Sequence, residues 1–230
     1  MTDPVANSVK KYAAVSGTSS GIGKAIAQKY LDSGYGVWGI DVQEPSVSHR
    51  AYSHLTLDIR DFAPEHIPSG MRPEIIVAAA GTLEEADAIE VNLNATIRFV
   101  SAVVSASGDA LRSVLFIASA SARNGAEFPM YVASKAGIVG YMKNLALKLS
   151  KRGVTCNSIS PGGVITPANR HILEDPELYR RVLSETLTGK WAAPEEIAEL
   201  AYFLTVQNRS IIGEDILIDN GEMLRSNFIW

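Results

Sequence analysis

The chain has 230 residues, with 21 Lys and Arg against 25 Asp and Glu, for a net charge of −4. Its length predicts one large domain over residues 1–230, since a typical domain has about 150 residues, and its 47% hydrophobic and 20% charged residues exclude an intrinsically disordered chain. The acidic balance, with no cluster of cations along the sequence, disfavours a nucleic-acid partner.

The predicted elements begin with a strand over residues 12–16, a helix over residues 21–33 and a strand over residues 36–41. In that helix Ile22, Ile26 and Tyr30 recur at four-residue spacing and form one buried face. A second helix is predicted over residues 135–150, and the remaining strands over residues 54–57, 75–80, 114–118, 155–158 and 216–218. Apolar strands that alternate with helices predict an α/β fold, a doubly wound parallel sheet of the Rossmann type with helices on both faces.

The first predicted strand is followed by the sequence Ser-Gly-Thr-Ser-Ser-Gly-Ile-Gly, residues 16–23. We expect Gly17 to allow a tight turn, Gly21 to let the backbone approach a pyrophosphate, and Gly23 to let the helix pack close to the sheet. A glycine turn without a ligand is the alternative. The strand before the loop and the amphipathic helix after it favour a nucleotide-binding loop.

Asp41 ends the second predicted strand, about twenty residues after the loop, where a carboxylate can hydrogen-bond both hydroxyls of an adenosine ribose. A 2′-phosphate would meet a negative charge there, and the loop has no Arg or Lys at Thr18, Ser19 or Ser20. This pattern favours NAD over NADP as the cofactor. The alternative is a solvated aspartate at a turn.

Tyr131 is the one tyrosine of eight with a lysine four residues later, Lys135. Residues at this spacing share one face of a helix. A nearby ammonium stabilises a phenolate, which lowers the pKa of a tyrosine towards the working range of a general acid or base. An ordinary surface contact between the two side chains is the alternative.

These features occur in one order along the chain: Gly17-x3-Gly21-x-Gly23, Ala79-Ala80-Gly81, Asn92, Ser119, Tyr131-x3-Lys135 and Pro161-Gly162. The ordered set resembles the short-chain dehydrogenase/reductase family in its common single-domain form, from about Tyr12 to Gly221. The resemblance implies an NAD(P)-dependent oxidoreductase that acts on a small-molecule substrate and forms a homo-oligomer, a tetramer or a dimer.

By this resemblance Tyr131 exchanges a proton with the substrate oxygen, Lys135 holds the nicotinamide ribose, and Ser119 polarises the substrate carbonyl or hydroxyl. Ser121 is a second candidate for the serine, because Ser119 lies 131 − 119 = 12 residues before Tyr131, one fewer than is usual. Asn92 matches an asparagine that bends a helix and supports a proton-relay water, with helix capping as the alternative. The residues implied to bind the cofactor are Gly17, Ser19, Ser20, Gly21, Ile22, Gly23, Asp41, Asp58, Ile59, Ala80, Gly81, Tyr131, Lys135, Pro161, Gly162 and Thr166.

The chain departs from the family pattern in two further residues and in two short connections. Ser16 stands where threonine is usual, and Ala79 stands where an asparagine usually precedes the Ala-Gly pair. Residues 59–74 contain three prolines, so any helix there is short. Residues 81–92 carry four acidic side chains, expected on a solvated helix face, and because this connection is brief we expect a substrate site that is more open or is closed by another subunit.

Two segments near the end of the chain carry further expectations. The polar residues 166–190 correspond to the mobile lid that selects the substrate in the family. The apolar tail, residues 227–230, is expected to pack across a subunit interface or on its own core.

The longest apolar stretches, such as residues 75–80, are far shorter than the ~20 residues of a membrane helix, and the polar start of the chain is unlike a secretory signal. The one cysteine, Cys156, cannot form an internal disulfide and has no Cys or His partner at metal-ligand spacing. We therefore expect a reduced, soluble, cytoplasmic protein with no membrane partner and no metal site.

The function expected from the sequence is NAD-dependent hydride transfer to or from a small or cyclic secondary alcohol or ketone, with some likeness to cis-dihydrodiol dehydrogenases. An NADPH-dependent 3-oxoacyl reductase is the alternative enzyme. A cofactor-binding regulatory protein without turnover is the alternative of another class.

Overall fold

The computed structural model of the protein describes residues 11–126 and 128–224. Within this part of the chain seven strands form one parallel sheet, and they are β1 Tyr12–Ser16, β2 Gly36–Asp41, β3 Tyr52–Thr56, β4 Ile75–Ala78, β5 Ser113–Ile117, β6 Thr155–Pro161 and β7 Asp215–Ile218. Their order across the sheet is β3-β2-β1-β4-β5-β6-β7. The α-helices are α1 Gly21–Asp32, α2 Thr96–Ser107, α3 Ser121–Asn124, α4 Pro129–Leu149, α5 Arg170–Leu173, α6 Pro176–Leu183 and α7 Pro194–Tyr202.

The strand order reverses beside β1, which pairs with β2 on one side and with β4 on the other. Ser16, at the end of β1, lies opposite Ile40 of β2 and Ala78 of β4. The Ser16 hydroxyl also accepts hydrogen bonds from the backbone N–H groups of Ala79 and Ala80, each at 3.2 Å. In a sheet of this kind, ligands bind in the crevice outside the carboxyl ends of the strands at the reversal.

Helices cover both faces of the sheet, and a hydrophobic core lies under each layer. One core packs α2 and α4 on the sheet around Phe99, Phe116 and Met142. The other packs α1 and α7 on the opposite face around Ile26 and Tyr30. All five side chains are fully buried, so the helices that flank the crevice are anchored by dispersion contacts and the hydrophobic effect.

The doubly wound parallel fold predicted from the sequence is confirmed, and the seven predicted strands are present with shifts of a few residues at their ends. Residues 59–74 form two short 3₁₀ turns, Ile59–Asp61 and Pro64–His66, as the prolines predict. The helix predicted from residue 135 begins earlier, at Pro129, because proline is well suited to the first position of a helix.

The segment predicted as a lid, residues 166–190, contains the short helices α5 and α6, whose residues are exposed or half-buried. Tyr179 of this segment contacts Trp191, which follows the segment, and the two rings pack edge-on at a centroid distance of 5.8 Å. The apolar tail, residues 227–230, lies outside the described residues. Within the described ranges, no helix combines the length and apolar character needed to cross a membrane.

Candidate active site

The loop between β1 and α1 makes the close backbone contacts that its glycine spacing predicts. Gly17 is left-handed, with φ +79°, and a Cβ built there would lie 2.8 Å from the backbone nitrogen of Ala80. A Cβ on Gly23 would lie 2.1 Å from the carbonyl oxygen of Gly17. Gly21, at φ +52°, faces the side chain of Thr166. The loop therefore brings the N-terminus of α1 to the crevice, where its N–H groups favour an anion.

Asp41 ends β2 with its carboxylate turned towards this loop. Oδ2 accepts a hydrogen bond from the backbone N–H of Ser19, and Oδ1 accepts one from that of Gln43, each at 2.9 Å. These bonds fix a negative charge beside the loop, at the position where the sequence predicts an adenosine ribose. Asp41 is thus not a freely solvated turn residue.

A series of hydrogen bonds that the sequence did not indicate links this loop to β3. The buried hydroxyl of Thr18 bonds to the Tyr52 hydroxyl at 2.8 Å, which in turn lies 2.7 Å from Nδ1 of His54. The alternation of β3 places Tyr52 and His54 on one face of the sheet. That alternation is the signal in the sequence that could have indicated the pair.

Lys135 lies in α4 with its side chain buried at the ends of β4 and β5. Its Nζ donates a hydrogen bond to the carbonyl oxygen of Ile117 at 2.9 Å and lies 5.7 Å from the centroid of the Tyr131 ring. Burial lowers the pKa of the Lys135 ammonium to about 8. A Cβ on Gly81 would lie 3.3 Å from this Nζ and 3.1 Å from Oδ1 of Asn92. Four of the predicted site residues, Gly81, Asn92, Tyr131 and Lys135, therefore lie close together.

Asn92 lies in a π-helical turn, Ile89–Ala95, just before α2, and turns of this kind are frequent at functional sites. Its Oδ1 accepts a hydrogen bond from the N–H of Thr82 at 2.7 Å, and its Nδ2 donates to the Thr82 carbonyl at 2.9 Å and to the Ser134 hydroxyl at 3.1 Å. The amide therefore clamps the segment after β4 to α4. Support of a relay water stays a prediction.

The two candidate serines form a pair after the end of β5. Their hydroxyl oxygens lie 2.5 Å apart, and the backbone N–H of Ser121 donates to the Ser119 hydroxyl at 3.2 Å. Both side chains are buried. Because one hydroxyl must donate to the other, the pair acts as a single hydrogen-bonded unit, and both serines remain candidates.

Comparison with known proteins agrees with this geometry. The sequence profile of the family described as enoyl-(acyl carrier protein) reductase matches residues 75–222, well over half of the chain. The chain belongs to the short-chain dehydrogenase/reductase family. The matched residues include Gly81, Asn92, Tyr131 and Lys135.

Several members of the short-chain dehydrogenase/reductase family resemble this chain over most of its length. D-threitol dehydrogenase of Mycolicibacterium smegmatis is 29% identical, over 94% of this chain and 94% of its own. The 3-oxoacyl-[acyl-carrier-protein] reductase of Salmonella typhimurium is also 29% identical, over 93% of this chain and 97% of its own. A structure from Agrobacterium tumefaciens with bound NADP, provisionally described as a 2-deoxy-D-gluconate 3-dehydrogenase, matches with a TM-score of 0.83 and 24% identity over 95% of this chain and 98% of its own.

The remaining positions taken from the short-chain dehydrogenase/reductase pattern lie at the same edge of the sheet. Gly162 follows β6, and a Cβ there would lie 2.8 Å from Oε2 of Glu222. Asp58 follows β3, and its carboxylate pairs with Arg60 at 2.7 Å, which holds the pKa of Asp58 below its usual range. The side chain of Ile59 is buried in the core. The predicted contact of Asp58 with an adenine stays a prediction, and Arg60 is a neighbour that the sequence did not indicate.

Three of the four acidic residues between β4 and α2 make specific contacts, while the side chains of Asp87 and Glu90 stay about half exposed. Glu84 is exposed, and of the four only Glu90 lies in a helical turn. The residues are thus largely solvated, as predicted, but they do not share one helix face. Asp87 lies 3.1 Å from Arg60, and Glu90 lies 2.7 Å from Arg98. Glu85 accepts two hydrogen bonds from the first turn of α4. These contacts fasten the short connection to Arg60, to α2 and to the start of α4.

Proposed function

We propose that the protein is an NAD-preferring oxidoreductase that transfers hydride between a nicotinamide cofactor and a small or cyclic secondary alcohol or ketone. The observation that carries the proposal is the convergence of Tyr131, Lys135, Asn92 and Gly81 at the crevice. A phenol beside a buried ammonium is suited to proton exchange with a substrate oxygen.

The residues present fit a dinucleotide. The left-handed Gly17 and the close contact at Gly23 form a cradle that a Cβ would fill. The loop residues Ser19, Ser20, Gly21 and Ile22 would hold the pyrophosphate with Gly17 and Gly23, Asp41 would hold the adenosine ribose, and Lys135 the nicotinamide ribose. When bound, the cofactor supplies the hydride acceptor or donor.

Side chains of this protein would carry out the proton transfer that accompanies hydride transfer. In the oxidative direction the hydroxyl oxygen of Tyr131, in its deprotonated form, takes the proton of the substrate hydroxyl. The positive charge of Lys135 favours that form. One hydroxyl of the Ser119–Ser121 pair donates a hydrogen bond to the substrate oxygen and stabilises the charge that develops there. In the reductive direction Tyr131 returns the proton.

The substrate class is supported by similarity to D-threitol dehydrogenase, a relative named for a polyol. A specific observation also favours a second candidate function, NADPH-dependent reduction of 3-oxoacyl substrates. The Salmonella typhimurium reductase is equally identical to this chain, and the matching profile is named for an acyl carrier protein reductase. Asp41 supports the first candidate, because its charge opposes a 2′-phosphate.

A substrate panel followed by NADH or NADPH absorbance tests the proposal. The panel contains D-threitol, a cis-dihydrodiol of benzene and acetoacetyl-CoA, each with NAD(H) and NADP(H). We expect turnover of an alcohol, with kcat/KM for NAD at least about tenfold above that for NADP. Equal use of both cofactors would contradict the NAD preference. Turnover of acetoacetyl-CoA with NADPH alone would favour the 3-oxoacyl reductase, and no turnover of any substrate would favour the regulatory protein.

Neutralising Asp41 should reduce the preference for NAD. In Asp41→Asn the amide oxygen keeps one of the two backbone hydrogen bonds, while the charge that opposes a 2′-phosphate is lost. Hydrogen bonds to a charged group contribute about 1.5–3 kcal/mol, so we expect the ratio of kcat/KM for NAD to that for NADP to fall by about tenfold or more. Asp109→Asn removes the same charge at an exposed position before β5 and should leave the ratio unchanged. An unchanged ratio in Asp41→Asn would contradict the role of Asp41.

We also propose that residues 166–190 close over the bound substrate and that the chain assembles as a homodimer or homotetramer. The exposed and half-buried residues of α5 and α6 support the first proposal. The exposed apolar side chains of Leu147 and Ile212 support the second, since large exposed apolar groups often mark interfaces.

A further inference from the structure

The connection from β4 to α2 reaches across to the start of α4 through Glu85. The two carboxylate oxygens of Glu85 accept hydrogen bonds from the backbone N–H groups of Met130, at 3.1 Å, and Tyr131, at 3.2 Å. These are the second and third residues of α4. The first N–H groups of a helix have no partner within the helix, and the residue at the N-cap position, Phe128, has no side-chain oxygen to offer. A residue 45 positions away therefore caps this helix.

The same connection also holds the carbonyl group of Tyr131. The hydroxyl of Ser134 donates to this carbonyl oxygen at 2.7 Å and accepts a hydrogen bond from Nδ2 of Asn92, the residue that clamps Thr82. The backbone of Tyr131 is thus held on its N–H side by Glu85 and on its C=O side through Asn92. Both supports come from residues 82–92.

We propose that Glu85 is a positioning residue for the reaction: it fixes the first turn of α4 and thereby the direction of the Tyr131 phenol relative to Lys135. The inference rests on the proposed function of Tyr131. Helix ends fray when their N–H groups lack partners, and Tyr131 lies in the turn that would fray. A displacement of about 1 Å at a reacting group can reduce the rate about 100-fold.

The carboxylate suits this position for a second reason. The N-terminus of a helix carries a partial positive charge, so a carboxylate is favoured there. Glu85 is half-buried, which shields its interaction from solvent. Its neighbour Glu84 is exposed and takes part in the connection through its backbone, whose N–H donates to the Thr82 hydroxyl at 3.0 Å.

The test compares Glu85→Gln with Glu84→Gln, which removes the same charge one residue away. Glutamine retains one acceptor oxygen and places an NH₂ group against the second backbone N–H. We expect hydrogen exchange of the Met130 and Tyr131 amides to accelerate by about tenfold in Glu85→Gln and to stay as in the wild type in Glu84→Gln. Amide exchange is measured by NMR or mass spectrometry and needs no substrate.

Steady-state kinetics, measured with the panel substrate of highest kcat/KM, then distinguish a positioning role of Glu85 from an effect on the stability of the protein. We expect kcat of Glu85→Gln to fall by about tenfold, the Kd of NADH to change less than about twofold, and the primary deuterium isotope effect on kcat to rise because the chemical step has become slower. Loss of folded protein alone would lower kcat without raising the isotope effect. Glu85→Asp, which keeps the charge with a shorter reach, should give an intermediate kcat.

The outcomes distinguish the two proposals. Unchanged amide exchange in Glu85→Gln, or a kcat equal to that of Glu84→Gln, would overturn the role of Glu85 and leave the proposed function intact. Full activity of Tyr131→Phe would overturn the proposed function, and with it the role of Glu85 in the reaction, even if amide exchange accelerates.

Discussion

Replacing Lys135 with methionine should stop turnover and, at the same time, stabilise the cofactor-free protein near pH 7. The side chain is 6% exposed, and burial lowers the pKa of its ammonium from 10.5 to about 8. At pH 7 the ammonium is therefore charged in both the folded and the unfolded chain, and the folded chain carries the full cost of its burial. Methionine is an unbranched, uncharged and flexible replacement.

The stability difference should depend on pH in a defined direction. Below pH 8 the lysine is protonated in both states. Between about pH 8 and pH 10.5 the unfolded chain binds more protons than the folded chain, so the free energy of unfolding of the wild type rises with pH. Above pH 10.5 the side chain is neutral in both states and the cost of burying a charge is gone. The advantage of methionine should therefore shrink from pH 8 upwards.

The expected magnitude follows from two opposing contributions. A pKa lowered from 10.5 to about 8 corresponds to ~3 kcal/mol. Removing the ammonium also leaves the Ile117 carbonyl without this donor, which costs about 1–3 kcal/mol. We expect Lys135→Met to be more stable by about 1 kcal/mol at pH 7 and less stable than the wild type near pH 10.5.

Urea unfolding at pH 7 and pH 10 measures this difference, and NADH absorbance measures turnover, which should fall by at least about 100-fold. Lys143→Met is the matched control, because Lys143 is exposed on the same helix and should change neither quantity by much. A stability difference that is the same at both pH values would contradict the cost of burial at Lys135.

The parts of the site that the sequence predicts are those whose contacts are local in the chain. Gly17 and Gly23 contact each other within one loop and one helical turn, and Tyr131 and Lys135 lie one helical turn apart. Their spacing is therefore dictated by the backbone itself. The parallel sheet is predictable for a similar reason, because strands buried on both faces are nearly continuous in apolar residues.

Contacts between distant segments could not be predicted in this way. The cap of α4 comes from Glu85, which no spacing relates to Tyr131, and the apolar periodicity of α4 begins at Ile138, beyond its first turn. The periodicity therefore carries no information about where the helix starts. Spacing also fails to separate Ser119 from Ser121, which lie only two residues apart. The structure does not separate them either, because their hydroxyl groups share one hydrogen bond.

Replacing Tyr131 with phenylalanine should lower kcat by about 10²–10⁴-fold, the range that general acid–base catalysis usually contributes. The hydrogen bonds that hold this residue from Glu85 and Ser134 go to its backbone, so phenylalanine keeps them. The ring also keeps its place beside Lys135. The loss of activity should thus report on the hydroxyl group, with the Kd of NADH close to that of the wild type.

The matched control is Tyr141→Phe, on the same helix. The hydroxyl of Tyr141 bonds to the Ser101 hydroxyl of α2 at 3.0 Å. This exposed contact lies ten residues along α4 from Tyr131, and its loss should affect turnover little. If the serine pair exchanged the proton with the substrate, Tyr131→Phe would retain at least about a tenth of the wild-type kcat, because both serine hydroxyls would be intact. A large loss in Tyr131→Phe with normal activity in Tyr141→Phe therefore assigns the proton to Tyr131 and leaves the serine pair the task of holding the substrate oxygen.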